Sequence, residues 1–302
     1  MLRRLNLRVT SCIALKHEAA VVPILMTGTQ LFHKGQLQLC TEVKETTPFC
    51  QQQRCFHTQP VRHMRVAGSI KPQTSPMNFD GSSGNSGNTA DSLTPYVREH
   101  LFKVYGLLAA GCVAAGFGSV LMFATPLCKT VPFWLPMAAG FVPLLWLSFA
   151  PPQNPNLKMG LFFAFTVLEG MALAPLIASS MAKGVLGTAI VLTGAVFCGF
   201  SAGAYLAPRA SLLALQGPLF GMLLGMVAIS VLNLFYPTAF VHSIILYGGL
   251  ALFSVMVSVD TQAMIERARC GAGDVVQDAL QMFMNVVNIF VRIAQILGSG
   301  DR

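Results

Sequence analysis

The C-terminal stretch "QDALQMFMNVVNIFVRIAQIL" sets polar side chains into an apolar run at a helical interval. Asp278, Gln281, Asn285, Asn288, Arg292 and Gln295 follow one another at spacings of 3, 4, 3, 4 and 3 residues. On a helix they form one stripe, and Met282, Phe283, Val286, Val287, Ile289, Phe290, Ile293 and Ile296 fill the space between them. Carboxylate, carboxamide and guanidinium groups along one line can pair, offer oxygens to a cation or pass protons. Two further acids interrupt apolar runs: Asp260 in "ALFSVMVSVDTQAMIERAR" and Glu169 in "FTVLEGMALAP".

A charge turned to lipid at mid-membrane costs at least about 2.5 kcal/mol, so the stripe should face water or other helices. The alternative is an amphipathic helix lying flat on the bilayer, whose polar face is normally rich in Lys and Arg rather than amides. Asp260 stands near the end of its apolar run. It is an interfacial carboxylate if the helix stops there. If the helix continues through "TQAMIERAR", it lies inside, with Asn285 or Arg292 as the natural partner. Glu169 is about ten residues from either end of its run, beside Gly170 and Pro175, which loosen a helix. Paired with Arg292 it would be charged; alone it would be neutral. Asp260, Asn285, Gln281, Asn288, Arg292 and Glu169 are therefore the candidate ion pathway.

No enzyme is expected from these residues. An intramembrane aspartyl protease needs two aspartates in facing spans, and Asp260 alone qualifies. The "GSGD" at 298–301 falls past the last apolar run, and no Ser/His pair or metal cluster lies within the runs. Cys50, Cys55 and His57 do not have the spacing of a closed zinc site. Cys112 and Cys198 read as small apolar packers, while Cys128 and Cys270 sit at loop edges. No cofactor and no resident metal are expected.

The elements that must position these groups follow from composition. The chain has 302 residues, 54% hydrophobic and 11% charged, against about 25% charged in soluble domains. Seven apolar runs, 104–125, 131–150, 159–181, 185–206, 212–236, 240–259 and 279–297, are each long enough to cross a bilayer as a helix. Pro, Gly or charge separates them, and they lack the alternation of a barrel strand. The expected fold is an all-α membrane protein, a seven-helix transmembrane bundle. With every run crossing, Arg98, Lys103, Lys158, Arg209, Arg267 and Arg269 share the N-terminal side, against Lys129 and Lys183 opposite. That balance puts the N-terminus on the cytosol-like face, the matrix in a mitochondrion. Gly217, Gly221 and Gly225, with Gly199 and Gly203, are spaced for close helix contact, expected within the chain.

Ahead of the bundle, residues 1–71 hold ten of the twenty Lys/Arg and three acids, the first being Glu18. Residues 1–65 read as a basic mitochondrial targeting leader and 66–95 as a flexible Gly/Ser/Asn-rich linker to the membrane domain 96–302. The basic residues lack the accompanying aromatics of a nucleic-acid module, so no nucleic-acid partner is expected.

Four stretches in order resemble the Bax inhibitor motif family: "REHLFKVYGLLAAG" (98–111), "LEGMALAP" (168–175), "YGGLALFSVMVSVDTQAMIERA" (247–268) and "NIFVRIAQIL" (288–297). The last is similar to the closing helix of the mitochondrial branch. The resemblance implies a seven-helix fold of Bax inhibitor type associated with calcium permeation across organelle membranes and protection from cell death. It implies the lipid bilayer, calcium or another cation, and membrane proteins as partners. It also implies an inner mitochondrial or endoplasmic reticulum address. Studied members use two aspartates on the last two helices as a proton-sensitive latch. Asp260 matches the first, while Asn285 stands at the second and Gln281 at a further acidic position. An Asp–Asn pair can hydrogen-bond in any protonation state, so weaker pH gating is expected.

Overall fold

The computed structural model describes residues 94–124, 134–149, 154–208 and 211–299. The leader 1–65 and nearly all of the linker 66–95 lie outside them, as do Cys50, Cys55, His57, Cys128, Lys129, Arg209 and Asp301. Within the described residues the chain is helical, with α1 Pro95–Ala124, α2 Trp134–Phe149, α3 Pro155–Ala182, α4 Leu186–Leu206, α5 Gln216–Phe235, α6 Ala239–Arg269 and α7 Val275–Ser299. A 3₁₀ turn, Leu213–Leu215, leads into α5, and a π turn, Ile244–Gly248, interrupts α6.

Local chemistry sets the helix ends. Pro95 and Pro155 open α1 and α3, where a missing N–H costs no helical hydrogen bond. These helices begin before their apolar runs because Arg98, Glu99, His100 and Lys158 occupy their first turns. Gly271, at φ 68°, closes α6 in the left-handed conformation. Three residues later Asp274 Oδ1 accepts from the backbone N–H groups of Val276 (3.1 Å) and Gln277 (3.3 Å), capping α7.

Six helices are long and apolar enough to cross a membrane: α1, α3, α4, α5 with its preceding turn, α6 and α7. The run at 131–150, expected as a full crossing, contains the sixteen-residue α2. Its length is about 24 Å at helical rise, against a hydrocarbon core of about 30 Å. Pro143 lies inside α2, where the missing N–H removes a rung of the helical hydrogen-bond ladder.

Side-chain bonds fix the directions of the helices. Lys158 at the start of α3 pairs with Asp274 at the start of α7, and Lys183 at the end of α3 donates to the Gly298 carbonyl at the end of α7. α3 and α7 therefore run parallel. His100 ties the start of α1 to the same level. Gln262 near the end of α6 bonds the end of α4 and the approach to α5. α1, α3 and α7 thus run in one direction, and α4 and α6 in the other.

The most polar helix is the most enclosed. In the apolar window of α7, 72% of the residues are buried, against 22–44% for the other five spans. α7 packs against α1, α3, α4 and α6. Its apolar side chains are as buried as its polar ones, with Leu280, Met282, Phe283, Ile289 and Val291 at 1% exposure or less. The alternative of a helix lying flat on the bilayer does not describe this placement. Phe283 meets Phe162 and Phe165 of α3 edge to face, at centroid distances of 6.2 and 6.1 Å.

The close glycine seam lies between α1 and α3. A Cβ at Gly170 would overlap the backbone of Ala115, one at Gly118 would overlap that of Val167, and one at Gly111 would stand 2.7 Å from the Phe162 ring. The expected seams at Gly199, Gly203, Gly217, Gly221 and Gly225 are a correction. Nothing lies within 4 Å of where their Cβ atoms would be, so these glycines face outward. A four-residue interval says which residues share a face, not which way the face points. Cys112 and Cys198, expected as packers, are also exposed on the outside of the bundle.

Candidate functional site

Asp260 is nine residues short of the end of α6 and is buried, so it is not an interfacial carboxylate. Its Oδ2 accepts from Asn285 Nδ2 at 2.6 Å and from Gln281 Nε2 at 3.1 Å, both on α7. Gln281 and Asn285 are buried and four residues apart, so they present two donors on one face of α7 to one oxygen of α6. Gln281 Oε1 is buried without a hydrogen-bond partner among the described residues. A carboxylate and a spare amide oxygen make a hard-oxygen environment in the bundle interior. Among the described residues no cluster of three His, Cys, Asp or Glu side chains could cage a metal.

Three consecutive side chains of α6 reach three different neighbours, because successive residues are about 100° apart around a helix. Asp260 turns to α7. Thr261 donates to the Val257 carbonyl at 2.7 Å and meets Ser201 Oγ of α4 at 3.3 Å, and Ser201 in turn bonds the Tyr105 hydroxyl of α1. Gln262 donates to the carbonyls of Ala204 (3.3 Å) and Pro208 (3.1 Å) and accepts from the Leu212 N–H at 2.9 Å. The Asp-Thr-Gln turn of the sequence is thus the point where α1, α4, α5 and α7 are pinned to α6.

Asn288 and Arg292 of the stripe are also buried, and Gln295 is half-buried. Asn288 donates to the Met284 carbonyl of its own helix at 2.9 Å. Arg292, fully buried, lies against Gly249 of α6, where a Cβ would come within 2.8 Å of its Nε. Gly249 follows the π turn, a local widening often found at functional positions. Arg292 stands seven residues beyond Asn285, about 10 Å along α7, so a positive charge sits two turns from the carboxylate. Glu169, also buried, makes no ion pair with Arg292. Its Oε2 has no hydrogen-bond partner among the described residues.

Inspection of the sequence for acids in apolar runs did not single out a second cluster, at the shared end of α1, α3, α6 and α7. Asp278 Oδ2 accepts from His100 Nε2 at 2.8 Å, and Asp278 Oδ1 accepts from Arg267 Nη2 at 2.6 Å and Nε at 3.2 Å. Lys158 Nζ reaches Asp274 Oδ2 at 2.5 Å. Two cations expected as loop charges are therefore interhelical clasps. The signal was present in the sequence as His100 on the buried line Val97, Leu101, Val104 and Leu108, and as aspartates four residues apart at the head of α7.

The sequence model of the family described as inhibitor of apoptosis-promoting Bax1 matches residues 97–302. Bax inhibitor 1 of Drosophila melanogaster is 33% identical, over 68% of this chain and 85% of that protein. Bax inhibitor 1 of Arabidopsis thaliana is 34% identical, over 72% of this chain and 91% of its own length. The human protein of that name is 27% identical, over 70% and 90%. The matched region takes in all seven helices and the buried contact between Asp260, Gln281 and Asn285. The chain belongs to the Bax inhibitor family of multispan membrane proteins.

Proposed function

We propose that this protein provides a leak or exchange path for calcium or another cation across an organelle membrane, serving ion homeostasis and the regulation of cell death. The observation that carries the reading is the Asp260 carboxylate, buried in the bundle and held by two amides of the central helix. A carboxylate kept inside a membrane domain marks an ion or proton route by default. In this reading Asp260 attracts the cation, Gln281 and Asn285 hold the carboxylate across the α6–α7 interface, Asn288 widens the polar lining, and Arg292 sets a positive limit two turns away. The seven helices form one transmembrane bundle, with α2 returning the chain. Ions pass without chemical turnover. The family's description as an inhibitor of apoptosis-promoting Bax1 supports the cell-death role.

The address we propose is the inner mitochondrial membrane, on the basic leader 1–65, with the endoplasmic reticulum as the alternative. Import of a fluorescent protein fused to residues 1–95 supports the first; a diffuse signal rejects the leader. Calcium flux through purified protein in liposomes tests the path itself. Asp260→Asn should lower flux, and unchanged flux between about pH 5 and 8 would overturn the reading. A second reading, a non-conducting scaffold for membrane-protein partners, is favoured by the outward-facing glycines of α4 and α5. Absence of flux in the wild type selects it.

A further inference from the structure

Glu169 is a buried acid that neither the Asp260 contact nor the Asp278 clasp uses. It is 3% exposed, at the middle of α3, and its Oε2 is buried without a hydrogen-bond partner among the described residues. Its Oε1 is directed at α2, where a Cβ on Gly140 would lie 4.0 Å away, with the Phe165 ring 3.9 Å from the same point. Pro143 of α2 has no N–H to give to the carbonyl of Ala139, beside Gly140, and Pro175 of α3 has none for Met171. In a bilayer such freed carbonyls have no water to turn to.

The charged groups facing this position are few. α2 carries no Lys, Arg, His, Asp or Glu. From Gly106 onward α1 carries none either; its Cys112 is exposed outside the bundle. α4 contributes Cys198 and Tyr205, both exposed. α7 contributes Asp278, committed to His100 and Arg267, and Arg292, seated against Gly249.

We propose that Glu169 is a proton-binding site on the α2–α3 flank, occupied by a proton in this conformation. A protonated carboxyl carries no charge to compensate, whereas a carboxylate buried with an oxygen that no N–H or O–H reaches among the described residues would. Release of that proton requires water to enter or α2 to part from α3. Of the three buried acids among the described residues, Asp260 accepts from Gln281 and Asn285, Asp278 accepts from His100 and Arg267, and Glu169 exchanges its proton with a movement of α2. This assignment does not rest on the cation path through Asp260.

Infrared difference spectra of the purified full chain in lipid, titrated between about pH 5 and 9, test it. The wild type will show the carbonyl stretch of a protonated carboxyl, lost in Glu169→Gln and kept in Asp260→Asn. Glutamine is neutral and close in shape to a protonated glutamate, so the variant will keep the thermal stability of the wild type. Treated with a hydrophobic carbodiimide, which adds to protonated carboxyls, the wild type will carry the adduct on Glu169, with Asp260 modified less than about a tenth as much. A band unaffected by Glu169→Gln, a band lost in Asp260→Asn, or an adduct preferring Asp260 overturns the assignment. Cation flux plays no part in either readout, so failure here leaves the proposed path standing, and the reverse.

Discussion

Asn285 of α7 donates its side-chain amide to Asp260 of α6 at 2.6 Å, inside the bundle and away from water. The acceptor oxygen also takes an N–H from Gln281, one turn earlier on the same face. Both partners are neutral amides. The contact therefore needs no shared proton, and protonation of Asp260 alone does not turn it into repulsion.

Replacing the amide by an acid should change that. In Asn285→Asp two carboxylates meet at hydrogen-bond distance and must titrate as a coupled pair. Liposome flux through this variant should depend on pH more steeply than through the wild type. Equal pH profiles for the two would dispose of the α6–α7 contact as a gate.

The clasp at the head of α7 should matter for stability. Asp278 is buried and accepts from both His100 and Arg267, so Asp278→Ala leaves a histidine and a half-buried arginine without their common partner. A loss of about 3 kcal/mol is expected from breaking a buried pair. Lys103→Ala, which removes an exposed partner of Glu99 within α1, should leave the melting temperature unchanged. Thermal unfolding in detergent compares the two, and similar melting shifts would rule the clasp out.

The glycines should divide into two classes. Gly170→Ala and Gly118→Ala drive a methyl group into the backbone of the facing helix, which no rotamer change relieves, at about 1–3 kcal/mol or more. Gly221→Ala meets open space and gains helix propensity, so it should be neutral or stabilising by up to about 1 kcal/mol in the folded monomer. Should Gly221→Ala instead disrupt a purified oligomer, the outward face is an interface between copies.

Gln262 makes three hydrogen bonds, to the end of α4 and the approach to α5. Gln262→Leu should cost about 1–3 kcal/mol and loosen that connection, because a backbone N–H and two carbonyls lose their partner together. Hydrogen exchange at the Leu212 amide reads this directly. Protection equal to the wild type would show that Gln262 does not hold the connection.

Much of the architecture was legible in the residues. Apolar runs of sufficient length marked all the helices, since backbone groups in lipid can be satisfied only within helices or closed barrels. The 3, 4, 3, 4, 3 spacing placed Asp278, Gln281, Asn285, Asn288 and Arg292 on one stripe, and all five are buried. The energetic cost of a charge in lipid was enough to turn that stripe inward, and to favour a partner for Asp260 on α7.

Facing and neighbourhood were decided by the fold. Spacing alone could not tell that Gly217, Gly221 and Gly225 look outward while Gly118 and Gly170 lock α1 to α3, because periodicity is unchanged by rotating a helix about its axis. It could not choose Asn285 over Arg292 as the partner of Asp260, since both lie on the same stripe and only the height of α6 beside α7 separates them. Nor could it show that His100 and Lys158, far away in the chain, meet Asp278 and Asp274, or that Glu169 Oε2 is buried without a hydrogen-bond partner among the described residues. Sequence periodicity determines what each helix can offer; the packing of α1, α3, α4 and α6 around α7 decides which offers meet.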